Sequence, residues 1–202
     1  MLGIRCAIAS IVVGISGSLA TAGQVAIRFD NHAAGTPVTG LATNGVAFGY
    51  VGNAAAHIAL NLPGANPSNR NAQIVGETSG ILTLAFDQPT SILGLRFSLN
   101  STNLVLSAAT INLYDTAGSM LASVAASAVP NLPAGLTAGS FAITGMGLIK
   151  SAQIQFAGGG APLFSIDDLE FEQPESVVPL PTPLLLGVAG LGLALLARRR
   201  WR

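Results

Sequence analysis

The sequence predicts an all-β sandwich, and three observations carry that prediction. Apolar Leu93, Leu95, Phe97 and Leu99 alternate with Gly94, Arg96, Ser98 and Asn100, the period of two that turns one strand face inward. Turn-forming groups recur at short intervals, at Asp87 to Pro89, Asp115 to Gly118, Pro130 to Gly135 and Gly158 to Pro162. Between them no segment shows a charged amphipathic helical face.

Taken in order, the elements repeat the same logic. Leu82, Leu84 and Phe86 alternate, as do Ile111 with Leu113, and Ala152, Ile154 and Phe156. The alanine-rich run Ser119 to Ala128 is expected to be a strand returning against Ile111 to Tyr114 through the Asp115 to Gly118 turn. In Leu163 to Glu172, Phe164 and Ile166 share one parity, while Leu169 and Phe171 share the other. All four reach one core only if the strand gains a residue near Asp167 and Asp168, so a β-bulge is predicted there, directing both carboxylates sideways.

The ends of the chain read differently. Residues 1–22 carry one positive charge at Arg5, an apolar run from Cys6 to Ile15, and small residues Ala20 and Ala22 in the small-x-small spacing of a signal-peptidase site. The exported chain is therefore expected to start at Gly23 and to lack Cys6, the single cysteine, so that no disulfide contributes to its stability. At the other end, residues 184–197 carry no charge and precede Arg198, Arg199, Arg200 and Arg202. They are expected to form a helix crossing the inner membrane, with the arginines on the cytoplasmic side and the body outside. The expected division is a signal peptide over 1–22, a sandwich over 23–173, a proline-rich linker over 174–183, the membrane helix over 184–197 and an arginine tail over 198–202.

Charge narrows the function. The chain has nine basic and nine acidic residues, but only Arg28, Arg70, Arg96 and Lys150 lie in the body, against all nine acids of body and linker. The exported part is acidic, which excludes the electrostatic footprint of a nucleic-acid binder. His32 and His57 have no catalytic companion at recognisable spacing, and adjacent strand residues such as Asp167 and Asp168 point apart rather than across a cleft. The expectation is a protein that is not an enzyme. A secreted hydrolase using the aspartate pair is the remote alternative.

Two resemblances sharpen these readings. Val178, Pro179, Leu180, Pro181, Thr182 and Pro183, followed by the apolar stretch and the arginines, resemble the PEP-CTERM class of sorting domain in its Val-Pro-Leu-Pro-Ala variant, with threonine in place of the usual alanine. That resemblance implies export, retention in the inner membrane, and cleavage near the prolines by an exosortase-type enzyme, with release to the cell surface or matrix of a Gram-negative-type bacterium. It points to a structural or interaction protein associated with exopolysaccharide or biofilm. Ile27 to Asp30, Gly35 with Thr36, Gly45 to Phe48 and Phe164 to Phe171 resemble the first and last strands of jelly-roll sandwiches of the galactose-binding-like and carbohydrate-binding-module type. This second resemblance implies neighbouring first and last strands, a structural calcium ion held by Asp30 with Asp167 or Asp168, and, as the alternative function, a carbohydrate-binding module whose partner is polysaccharide.

Overall fold

The computed structural model describes residues 22–60, 72–131, 135–157 and 160–174. The signal segment, the sorting motif Val178 to Pro181, the membrane helix and the terminal arginines all lie outside the described residues, as do parts of two predicted turns. Ala22–Pro174 forms one compact unit of ten strands, with no helix among the described residues.

The strands are β1 (Ala22–Ile27), β2 (Ala42–Thr43), β3 (Val46–Val51), β4 (His57–Ala59), β5 (Gln73–Glu77), β6 (Ile81–Leu99), β7 (Val105–Tyr114), β8 (Met120–Asn131), β9 (Leu136–Phe156) and β10 (Leu163–Pro174). All pairings are antiparallel. Two layers result because β6 and β9 are long enough to serve in both. In the first layer the order is β2, β3, the front half of β6, the back half of β9, β7 and β8. In the second, β10 is flanked on one side by β1 and β5, the latter carrying β4, and on the other by the back half of β6, which pairs the front half of β9.

The layers close over an aromatic core. Phe86 of the first layer packs on Phe171 of the second at 5.3 Å between ring centroids, and Phe97 of the second meets Phe156 of the first at 5.7 Å. Phe156 stacks on Phe164 at 4.1 Å, nearly parallel, with Tyr50 behind at 6.0 Å. Leu82, Leu84, Phe86, Leu93, Leu95, Phe97 and Leu99 are all buried, as their alternation requires.

One expectation is corrected. Asp87 to Pro89 was expected to be a turn between two strands, whereas β6 runs through it and bends, losing register with β9 between Ala85 and Thr90 and again before Ile92. The bend is repaired locally. The buried Thr90 hydroxyl donates to Ile92 O at 2.7 Å and accepts the Glu172 N–H at 3.0 Å, so the interrupted ladder is reconnected by a side chain. Opposite it, β9 turns its own corner at Gly145 and Gly147, whose φ angles of 72° and 94° favour glycine.

The predicted hairpin and bulge are both present. β7 and β8 pair through the Asp115 turn, where Asp115 Oδ1 accepts the N–H groups of Ala117 and Ser119, each at 2.8 Å. On β10, Asp167 pairs with Arg96 and Glu170 with Gly94, so three steps on one strand match two on the other. Asp168 takes φ 52° at that point, and Phe164, Ile166, Leu169 and Phe171 are all buried.

Candidate functional site

The bulge creates the first notable centre. β1 and β10 are antiparallel neighbours, which brings Arg28 and Asp30, just beyond β1, to the bulge of β10. Arg28 Nε lies 3.9 Å from Asp168 Oδ1, and Asp30 Oδ1 accepts the Ala72 N–H at 3.2 Å. Asp168 stays partly accessible, but Asp167 is fully buried rather than turned to solvent, which corrects the expectation that both carboxylates point sideways. Asp167 Oδ1 accepts the Asp168 N–H at 2.9 Å, and its buried Oδ2 accepts no hydrogen bond.

The electrostatic consequence is direct. Burial pushes the Asp167 carboxyl up to about 6, and the negative charge of Asp168 adds to the effect, as does that of Asp30, against the lowering influence of the Asp168 N–H and of Arg28. Two of the three aspartates named from the sequence, Asp30 and Asp168, thus lie close enough to act on the third, Asp167. Among the described residues, however, no group of three or more His, Cys, Asp or Glu side chains is arranged to hold a metal ion. The partnerless Asp167 oxygen is the feature that suits a cation, and further oxygen ligands would have to come largely from backbone carbonyls.

The outer face of the second layer is charged and partly self-engaged. Gln24 Nε2 donates to Glu170 at 3.4 Å, and Ser91 donates to Glu172. A depression of about 210 Å³ is lined by Arg96, Ser140, Asp168 and Glu170 with Gly94, Leu95, Phe141 and Ala142. Another of about 210 Å³ is lined by Val75, Ser98, Asn100, Leu136, Leu163, Phe164 and Ser165, and there the Ser98 and Ser165 hydroxyls bond at 2.6 Å.

The outer face of the first layer has a different chemistry, which the sequence reading missed. Pairing registers align Gly49, Thr83, Gln153, Asn112 and Ser123 in one row across five strands. The next rows are Val51, Ile81, Gln155, Thr110 and Ala125 on one side, and Ala47, Ala85, Ser151, Tyr114 and Met120 on the other. None of these fifteen positions is charged. The Tyr114 hydroxyl donates to Gln153 Oε1 at 3.2 Å, fixing the phenol beside the central row. Gly49 keeps that row level, since a Cβ there would stand 2.5 Å from the Thr83 hydroxyl. The signal was available in the sequence as parity: the residues alternating with the core positions of β7 and β9 are Thr110, Asn112, Tyr114, Ser151, Gln153 and Gln155, all neutral hydrogen-bonding groups.

His57 forms an isolated bridge with Pro37 and belongs to β4 at the far side of the second layer, away from the aspartate centre in the pairing order. Its imidazole is exposed, and His32 donates its backbone N–H to Phe29 O at 3.0 Å in a turn.

No family model matches the chain. No curated protein matches it in sequence either. Among solved structures it is similar to a family 29 carbohydrate-binding module at 12% identity, over 79% of this chain and 96% of that one, with a TM-score of 0.41. It is similar also to a mutant of the module CBM29-2 at 14% identity, over 79% and 100% of the two chains, TM-score 0.40. A further CBM29-2 mutant, complexed with mannohexaose, is similar at 11% identity over 75% and 92%, TM-score 0.39.

Proposed function

We propose that the body is a non-catalytic module that binds neutral polysaccharide outside the cell, on the outer face of its first layer. The observation that carries this reading is the uncharged row of Thr83, Gln153, Asn112 and Ser123 with Tyr114 beside it. A neutral glycan is dense in hydroxyls that both donate and accept, and carboxamides and hydroxyls match both roles without the desolvation cost of a charge. The phenol ring supplies an apolar surface for a sugar face. The layer spaces these groups about 4.8 Å across strands and about 7 Å along them, a flat lattice suited to an extended chain rather than a buried small molecule.

Glycan-array and calorimetric measurements on residues 22–174 test the reading. Binding of a neutral polysaccharide is expected, weakened about tenfold or more by Tyr114→Ala or Gln153→Ala. Arg96→Ala, on the opposite layer, should leave it unchanged. If every neutral glycan fails to bind, or if the two face variants bind as the parent does, the reading is wrong.

The destination belongs to the same reading. Its support is the order of elements at the ends of the chain: Ala20 and Ala22 at the cleavage site, Val178 to Pro183, the apolar stretch, and Arg198 to Arg202. An exosortase-type enzyme would cut near the prolines after transient residence in the inner membrane and release the body to the surface or matrix. Mass spectrometry of the secreted form should find neither residues 1–22 nor the apolar tail. A secreted product still ending at Arg202 overturns this part while leaving the glycan reading standing.

Calcium enters the proposal at Asp167, with Asp30 and Asp168 alongside. Its support is the buried Oδ2 that accepts no hydrogen bond, with the charges of Asp168 and Asp30 close enough to act on that carboxyl.

A further inference from the structure

Val75, Ser165 and Ser98 stand side by side across β5, β10 and β6, in the register that pairs Ser165 with both of the others. Each alternates with buried core residues, Ile74 beside Val75, Phe164 and Ile166 around Ser165, and Phe97 and Leu99 around Ser98. All three therefore belong to the outer face of the second layer. An outer face is ordinarily wet, yet these positions are only 6%, 8% and 2% exposed. They floor a depression of about 210 Å³. Two positions further along, Leu163, Asn100 and Leu136 supply its more exposed wall. The lining among the described residues carries no charge.

We propose that this depression binds the acetamido group of an N-acetylated sugar. Its volume falls below the roughly 300–1,000 Å³ of sites that enclose a whole drug-sized ligand, so it suits one substituent whose parent ring stays outside. The polar part of the floor is the pair of Ser98 and Ser165 hydroxyls, 2.6 Å apart. Their mutual bond uses one hydroxyl hydrogen and leaves the other to donate. An acetamido carbonyl accepts that hydrogen, its N–H donates to the carboxamide oxygen of exposed Asn100 at the rim, and its methyl covers Val75, Leu136 and Leu163. Competing groups fit less well. A carboxylate finds no cation in the lining, and a bare hydrocarbon leaves the spare hydroxyl hydrogen without an acceptor. The hydroxylated edge of an unsubstituted sugar would lose water against three apolar side chains with too few partners in exchange.

The site lies on the opposite layer from Tyr114 and Gln153 and stands or falls separately from the face they form. Calorimetric or NMR titration of residues 22–174, which hold the whole buried core, should show the methyl glycoside of N-acetylglucosamine binding about tenfold or more tighter than methyl glucoside. Replacing both hydroxyls, Ser98→Ala with Ser165→Ala, should abolish that preference while the melting temperature stays close to the parent's, because neither partner of the pair is left unsatisfied. Leu163→Ala, at a 40% exposed position, should weaken the N-acetyl ligand severalfold through the lost methyl contact. Tyr114→Ala should leave it unchanged. Equal binding of the two glycosides, or a preference that survives the double alanine variant or is lost with Tyr114→Ala, overturns the proposal. Binding of a neutral polysaccharide sensitive to Tyr114→Ala, with no preference for the N-acetyl glycoside, would leave the first-layer reading intact and remove this one.

Discussion

Replacing Phe164 with alanine is expected to lower the unfolding free energy by about 3–5 kcal/mol, a large part of the stability of a domain this size. Phe164 is buried in β10, stacks on Phe156 and approaches Tyr50, so it joins strands of both layers through one ring. Neighbouring backbone is shaped around it. A Cβ at Gly76 would lie 2.8 Å from the Phe164 ring and 3.1 Å from Ala56, which means the strand beside it carries glycine to admit the phenyl group. Truncation removes the buried area and leaves a gap that these close neighbours cannot collapse to fill. Urea unfolding should show a lower midpoint with an unchanged slope, and a loss below about 1 kcal/mol would mean that the aromatic stack is not central to the core.

The second large effect concerns pH and Asp167. Its carboxyl is raised from 3.8 to about 6 in the folded protein, so the native state holds the proton more tightly than the unfolded chain does. The cost of ionising it in place is absent below 3.8, grows as pH rises, and is complete above about 6. In the absence of divalent cations the body should therefore lose about 2 kcal/mol of stability on going from about pH 4 to about pH 7, apart from the contributions of other groups. Asp167→Asn should flatten that part of the profile and raise the melting temperature at neutral pH, because an amide keeps the acceptor for the Asp168 N–H and sheds the buried charge. Calcium gives the same experiment a second arm. If the ion binds, adding it should raise the neutral-pH melting temperature of the parent and not of Asp167→Asn, whereas an unchanged midpoint with calcium or with chelator ends the calcium assignment.

Much of the body could be read before any coordinates, and the reasons are particular. The bulge at Asp167 and Asp168 followed from the parity clash between Phe164 with Ile166 and Leu169 with Phe171, because four large apolar groups cannot be split between core and water. The hairpin of β7 and β8 followed from the turn chemistry of Asp115 and Gly118. The bend of β6 was not legible. Asp87 to Pro89 carries strong turn signals, and only the paired corner of β9 and the Thr90 hydroxyl, both distant in the chain from one another, keep the strand continuous there. The depth of Asp167 was hidden for a similar reason. Its alternation places it on the outer side of β10, and the groups found beside it there, Arg28 and Asp30, come from the other end of the body. The neutral face of the first layer escaped notice because its residues come from five strands and become a row only once the registers are known.

The two long strands have a mechanical corollary. Since β6 and β9 each pass without interruption from one layer into the other, the sandwich lacks the seam along which two separate sheets could part like covers of a book. Prying one ladder open pulls on the same two ribbons that stitch its counterpart, so local fraying and global rupture merge into one event. For a body whose residues include no cysteine to crosslink it, such continuity of chain is what resists local opening.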